Sequence, residues 1–353
     1  MLSKLTIGLD LGDRKSVLCE INAAGEEVQR AVIATSREGV QRYFGGRERC
    51  RVVIEAGTHS PWVTRQLEAM GHEVVVGNPT LIYVRGRRKN DGRDAEFLGR
   101  QGRADVKLLY PIQHRRGQAQ EHLALIRARD QLVRCRTKLV GHVRGAVKSY
   151  GERIRRCSAE SFARRVTEEL PEALRPALLP LLEVIGDLTK RIRALDQEIE
   201  RLAETSYADA ARLQQPKGVG TLTALAFMLL VDDPKRFKQS RDVGAYFGLV
   251  PKLDDSSDSN PQLRISKAGD ALGRRLLVST AHYILGPFGP DCDLRRHGEK
   301  IAARGGKNAK KRAVVAVARK LAVLLHRLWV TGATYDPDWV LKRRSLKQTE
   351  AIK

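Results

Sequence analysis

Cysteine is scarce in this 353-residue sequence: five residues, at positions 19, 50, 135, 157 and 292, an odd number without a CxxC pair. That excludes a disulfide framework and a zinc module, and it leaves reduced thiols of the kind a reducing compartment keeps. Long apolar runs are missing too. No stretch approaches the roughly 18 consecutive apolar residues of a membrane span. The opening MLSKLTIGLDLG also lacks the basic-then-apolar layout of an export leader. The expectation is a soluble cytoplasmic protein without a membrane partner.

Acidic side chains are the third shortage. Asp and Glu number 41 against 64 Lys and Arg, a formal net charge of +23. A surplus of that size suits a phosphate backbone, because each neutralised phosphate releases a condensed counterion. The surplus is uneven. Residues 1–110 carry 18 basic and 14 acidic side chains, so +19 of the +23 falls on residues 111–353. The N-terminal part is nearly balanced, and its acids invite a use other than repelling nucleic acid. An ordinary apolar content of 42% allows two domains with their own cores, or three smaller units.

Short apolar runs rich in β-branched residues at 4–10, 16–22 and 27–33 are separated by LGDRK and AAGE turns. They predict a three-strand meander. A helix over about 36–44 is expected next, then a strand at 51–55, a helix at 60–70 opened by Ser60 as N-cap and Pro61, and a strand at 73–77. The order β-β-β-α-β-α-β is that of a ribonuclease-H-like core, in which the first and fourth strands lie side by side.

From 114 to 205 the sequence turns helical and charged. Leu181, Ile185, Leu188, Ile192, Leu195, Ile199 and Leu202 recur at spacings of 4 and 3, after a break marked by prolines 171, 176 and 180. The seam predicts a coiled coil, against the plainer alternative of an amphipathic helix packed within its own chain. Beyond 212, PKGVGTLTALAFMLL reads as a glycine turn feeding a buried helix; the turn could bind a phosphate or be structural. A polar loop, DDSSDSNP, spans 254–261, RISKAGDALGRRLL follows at 264–277, and two basic helical segments are expected near 293–304 and 307–330. From Arg264 onward there are 20 basic and 7 acidic residues, ending in a basic tail. Arg264, Lys267, Arg274, Arg275, Lys307, Lys310 and Lys311 are the candidate phosphate-gripping side chains there.

Four acids stand out. Asp10 and Glu55 end the first and fourth strands, and Asp91 and Asp94, three apart, share one face of a helical turn. Oxygen-only ligands suit Mg²⁺ or Mn²⁺ rather than zinc, and such ions serve phosphoryl transfer. Singly each acid reads as a turn or surface residue; together, beside Arg85, Arg87, Arg88 and Lys89, they read as a metal site next to a phosphate grip. Asp13, Glu96 and Asp105 are read as surface residues.

The pieces IGLDLG, IEAGTHSPW, GNP with RKNDGRDA, PKGVGTLTA, FGLVP and ISKAGDALGRRLL, in that order, resemble the DEDD transposases of insertion sequences, or bridge recombinases. They span roughly 1–105 and 212–335. The resemblance implies an α/β plus α chain: a RuvC-like, RNase H-like catalytic domain (1–113), a helical coiled-coil oligomerisation region (114–205), a mainly helical transposase domain (206–340) and a basic tail (341–353). It implies that Asp10, Glu55, Asp91 and Asp94 bind the metal. A serine five residues after the proline of GLVP is implied as a nucleophile that bonds to a DNA phosphate; here that is Ser256, with Ser257 beside it. It further implies donor and target DNA as partners, a structured guide (bridge) RNA, a dimer or tetramer, and the bacterial cytosol or nucleoid as location. From residue chemistry alone, two other readings stay open: a structure-specific endonuclease that activates water, and a non-catalytic nucleic-acid scaffold.

Overall fold

The computed structural model describes residues 5–82, 91–252 and 263–343, with the side chain of Asp91 excepted. The chain divides into two compact units, 1–115 and 116–353.

The first unit follows the expected order. Strands β1 (Thr6–Asp10), β2 (Lys15–Ile21) and β3 (Glu27–Ala34) precede helix α1 (Arg37–Phe44), strand β4 (Arg51–Glu55), helix α2 (Ser60–Ala69) and strand β5 (Glu73–Gly77); helix α3 (Asp91–Ala104) completes it. The sheet order is β3-β2-β1-β4-β5, with β1 antiparallel to β2 and parallel to β4. Because side chains alternate along a strand, β1 sends Ile7 and Leu9 to one face and Gly8 to the other. Ile7 and Leu9 join Val52, Ile54, Val40, Phe44, Val63 and Leu67 in a core under α1 and α2. The opposite face is covered by α3, with Val53, Val75 and Leu98 in one cluster and Cys19, Ile21 and Ala95 in another.

Helix α2 starts one residue earlier than expected. His59 occupies the N-cap position without a side-chain cap. Ser60 instead lies inside the first turn, its Oγ accepting from the Gly57 N–H at 2.9 Å and donating to the Gly57 carbonyl at 2.8 Å.

The second unit is helical: α4 (Gly117–Ser149), α5 (Phe162–Glu169), α6 (Arg175–Ser206), α7 (Asp209–Leu213), α8 (Thr221–Val231), α9 (Val243–Tyr246), α10 (Ala271–Leu285), α11 (Asp293–Ala302) and α12 (Ala309–Thr331). Helix α8 is apolar all round and buried from Thr223 to Val231, as a central core helix must be. It packs with α10, α12 and the near ends of α4 and α6 in the main core.

Helices α4 and α6 form an antiparallel pair within the chain. Arg129 pairs with Asp196, Arg136 donates to Thr189, and His122 hydrogen-bonds Tyr207, so their residue numbers run oppositely. The heptad seam therefore has an intrachain partner: Ile185 is buried with Val143, Val147 and Phe162, and Ile199 and Leu202 with Leu123 and Ile126. Leu181, Leu188 and Leu195 are only half-buried. The expected break before the seam is also corrected. Pro176 sits in the first turn of α6 and Pro180 lies inside it. Pro180, the sixth residue of the helix, lacks the N–H that would bond the Pro176 carbonyl, so one i→i−4 bond is lost.

The glycine turn before α8 has a packing reason. Gly218 adopts φ +94°, and a Cβ there would lie 2.5 Å from the Tyr283 ring. Among the described residues no helix is long and apolar enough to cross a membrane.

Candidate active site

Strands β1 and β4 end on the sequence-predicted acids Asp10 and Glu55, and helix α3 opens at Asp91 and carries Asp94. The parallel register pairs Leu9 with Ile54, so the next residues, Asp10 and Glu55, leave neighbouring strands at the same carboxyl end. The strands deliver them because Ile7 to Leu9 and Val52 to Ile54 are buried, while Asp10 is half-buried and Glu55 exposed.

Helix α3 runs antiparallel to both strands. Ala95 lies over Gly8, Gly102 lies over Val53, and Arg51 at the start of β4 donates from Nη1 to the Gly102 carbonyl at 2.9 Å. Its first turn therefore faces the carboxyl ends of β1 and β4. Asp94, half-buried, precedes the fully buried Ala95, and Asp91 opens the helix. Small residues make this seating possible: a Cβ on Gly99 would meet Ile21 at 2.9 Å, and one on Gly102 would meet Val53 at 2.2 Å. Among the described residues no group of three or more His, Cys, Asp or Glu side chains is arranged to hold a metal, and the Asp91 carboxylate lies outside that set.

The turns that leave Asp10 and Glu55 approach each other at residues that pattern reading missed. The Trp62 indole N–H donates to His59 Nδ1 at 3.1 Å, and the rings stand at 89°. With Nδ1 accepting, the neutral imidazole carries its proton on Nε2, which lies 3.6 Å from an Asp13 carboxylate oxygen. The sequence signal was a histidine four residues after a strand-end acid. Asp13 is a surface acid, as expected, with its side chain 91% exposed. Glu96 pairs with Arg30 and Arg100, and Asp105 accepts from the Lys107 N–H to cap a short 3₁₀ turn.

The second unit presents its candidates unequally. Arg264, Lys267, Lys307, Lys310 and Lys311 are exposed. Arg274 and Arg275 are half-buried and committed inside the fold. Arg274 donates to the Phe247 and Gly269 carbonyls at 3.2 and 3.1 Å, and Arg275 pairs with Asp130, which also holds Arg134. Their amphipathic stems and planar forks serve packing here. Ser256, Ser257, Arg85, Arg87, Arg88 and Lys89 lie outside the described residues. The segment around Ser256 departs from and returns to a fixed base: Lys252 N–H donates to the Arg264 carbonyl at 3.0 Å, and Ser266 N–H to the Val250 carbonyl at 2.8 Å. Pro251 and Ile265 face each other in that antiparallel bridge.

Comparison with known proteins adds the context for this geometry. Residues 7–152 match the DEDD transposase family model of IS110 elements, and residues 210–290 match the transposase IS116/IS110/IS902 family model. The chain is 31% identical to the transposase for insertion sequence element IS1111A of Coxiella burnetii, over 93% of this chain and 90% of that protein. It is 28% identical to a probable family 20 transposase of Pseudomonas aeruginosa, over 94% of this chain and 98% of the relative. A pilin gene-inverting protein of Moraxella lacunata is 22% identical over 95% of this chain and 98% of its own length.

Proposed function

The chain belongs to the IS116/IS110/IS902 family of transposases, and from that premise we propose that it cuts and rejoins DNA with acids from its first unit and a serine from its second. Its class, a DNA transposase of insertion sequences, follows from the family. In the proposed division, residues 1–113 are a RuvC-like, RNase H-like catalytic domain and 114–205 a helical oligomerisation region. Residues 206–340 are the transposase domain that carries the nucleophile, and 341–353 are a basic tail.

Asp10, Glu55, Asp91 and Asp94 would hold a divalent cation, Mg²⁺ or Mn²⁺. The chemistry of the donor set fits such an ion: it is oxygen-only, as a hard, partly hydrated cation requires. When bound, the ion supplies positive charge that favours an ionised attacking oxygen and steadies the departing one. The observation that supports the reading is the pairing of Leu9 with Ile54, after which Asp10 and Glu55 leave the carboxyl ends of neighbouring strands.

Ser256 Oγ then forms a bond to the phosphorus of a DNA phosphodiester. The bridging bond from that phosphorus to one sugar oxygen breaks. The serine proton goes to solvent and the sugar leaves as a free hydroxyl, so the backbone's bond energy is kept in a covalent phosphoserine link. Attack by the hydroxyl of another strand reverses the exchange and rejoins DNA.

A structured RNA of the mobile element, paired with donor and target DNA, would supply sequence recognition. The protein then needs chiefly phosphate-binding charge, and exposed Arg264, Lys267, Lys307, Lys310 and Lys311 offer it. Two or four copies would let the acids of one protomer serve the serine of another.

The test is a plasmid that carries the element with its flanks, incubated with the protein and its copurified RNA. A protein–DNA adduct resistant to denaturation, mapped to Ser256, is expected, and it disappears in Ser256→Ala and in Asp10→Asn. An undiminished adduct in Ser256→Ala contradicts the proposal.

A further inference from the structure

The second unit contains a cleft that strand exchange leaves unused. It measures about 360 Å³, a size typical of ligand sites. Four helix ends surround it: the start of α4, the junction of α6 and α7, and the ends of α8 and α12. Buried Met228 and Leu229 form the floor, and the half-buried rings of Tyr207 and Trp329 form walls. The Tyr207 hydroxyl hydrogen-bonds His122 Nδ1 at 2.8 Å, with the rings at 80°, so that wall is fixed. Trp329 and exposed Gln118 line the cleft, and neither the indole N–H nor the Gln118 amide has a hydrogen-bond partner among the described residues.

The charges lining the cleft are already matched. Asp232 accepts from the Arg116 backbone N–H at 2.8 Å and from Arg116 Nε at 2.9 Å, while its own carbonyl accepts from Arg116 Nη2 at 3.1 Å. This three-point hold keeps Asp232 at φ +65°, ψ −64°, a conformation that is strained for any residue with a side chain. Asp209 is paired with Arg212. A phosphate in the cleft would meet two carboxylates whose cations are taken. A purely aliphatic ligand would leave the indole and amide unsatisfied, at a cost. A flat, neutral ring with a hydrogen-bonding edge satisfies both walls and both polar groups.

We propose that the cleft receives one unstacked nucleobase from a single-stranded stretch of nucleic acid, with its face against Tyr207 and Trp329 and its edge on Gln118. The backbone of that strand stays outside, where the net +19 of residues 111–353 provides the phosphate attraction that the cleft lacks. Base stacking on aromatic side chains tolerates sequence, and one base contributes about tenfold in affinity. The inference rests on family membership and is independent of the serine chemistry.

The test compares two single-stranded oligonucleotides of equal length, one with all its bases and one with an abasic backbone, each in a ribose and a deoxyribose series. Binding is read by fluorescence anisotropy on the full chain. For the wild type the abasic strand binds about tenfold more weakly. Gln118 is exposed at the start of α4, so Gln118→Trp fills the cleft without entering the core. This variant should bind the intact strand as weakly as the abasic one, with abasic binding and thermal unfolding unchanged. Gln118→Ala should lose part of the difference. The series that shows the effect identifies RNA or DNA as the source of the base; an equal effect in both supports a site open to either. A tenfold difference that survives Gln118→Trp, or no difference in the wild type in either series, overturns the proposal.

Discussion

Gly8 of β1 lies so close beneath Ala95 of α3 that a Cβ built on it would stand 1.9 Å from the Ala95 carbonyl oxygen. The contact is backbone to backbone, so no side-chain rotation relieves it. Ala95 follows Asp94, and Gly8 is two residues from Asp10. The glycine thus sets how near the helical acids approach the strand acids. Gly8→Ala should force α3 away from the sheet, at a cost at or above the usual 1–3 kcal/mol of overpacking. Thermal unfolding measures the loss, and DNA cleavage should fall with it even though no acid has changed.

Replacing the acids should separate stability from activity. Asp10→Asn and Glu55→Gln keep the size and shape of the side chain at the ends of β1 and β4, so the thermal unfolding temperature should change little. Cleavage should fall by at least about 100-fold, as for loss of a group that acts on transition-state charge. A gel assay beside a thermal melt separates these effects; a parallel loss of both would point to a structural role.

His59 accepts from Trp62 at 3.1 Å, and its Nε2 lies 3.6 Å from the exposed Asp13 carboxylate in the turn after β1. His59→Ala should lower the cleavage rate several-fold with little change in DNA affinity. His59→Gln, which keeps a donor and an acceptor, should recover part of the rate. Equal rates for the two variants would show that hydrogen bonding at this position is irrelevant.

The thiols give a pH prediction. Burial, the largest cause in each case, pushes Cys19 and Cys50 up to about 11 from 9.0. Folded thiols therefore hold their protons where unfolded ones have lost them. The stabilisation is complete below the unfolded value of 9.0 and declines as pH rises toward about 11. Denaturant titrations at pH 8 and pH 10 should show a loss in the wild type that is smaller in Cys19→Ala/Cys50→Ala. At pH 8, exposed Cys135 should react first with a thiol reagent, while Cys19, Cys50 and Cys292 stay protected until unfolding.

The heptad seam divides into two kinds of position. Ile185→Asp places a charge in the core shared with Val143 and Phe162 and should unfold the α4–α6 hairpin. Leu188→Glu, on a half-buried position, should leave the fold intact. Sedimentation of Leu188→Glu tests whether that side of α6 meets another copy; an unchanged oligomer removes Leu188 from any contact.

The strand order and the sheet-end acids were legible because period-two alternation and turn residues are local signals. What covers an apolar face is not local. Leu181 to Leu202 reads identically whether α4 of the same chain or a second copy lies against it, and the structure assigns Ile185, Ile199 and Leu202 to α4. Arg274 and Arg275 looked like phosphate ligands because charge alone does not reveal the carbonyls and the carboxylate that engage them. His59 escaped notice because its role depends on Asp13 and Trp62, which come together only when two turns meet. The family motifs supplied Ser256, whose neighbours in sequence offer no base.

The claim that Asp10, Glu55, Asp91 and Asp94 form one divalent-metal site is tested most directly by Mn²⁺ binding, followed by electron paramagnetic resonance on the full chain with duplex DNA present. The account predicts saturable binding that Asp10→Asn, Glu55→Gln, Asp91→Asn and Asp94→Asn each abolish or weaken by at least about tenfold, while Ser256→Ala binds as the wild type does. Wild-type affinity in Asp10→Asn and Asp94→Asn would contradict it.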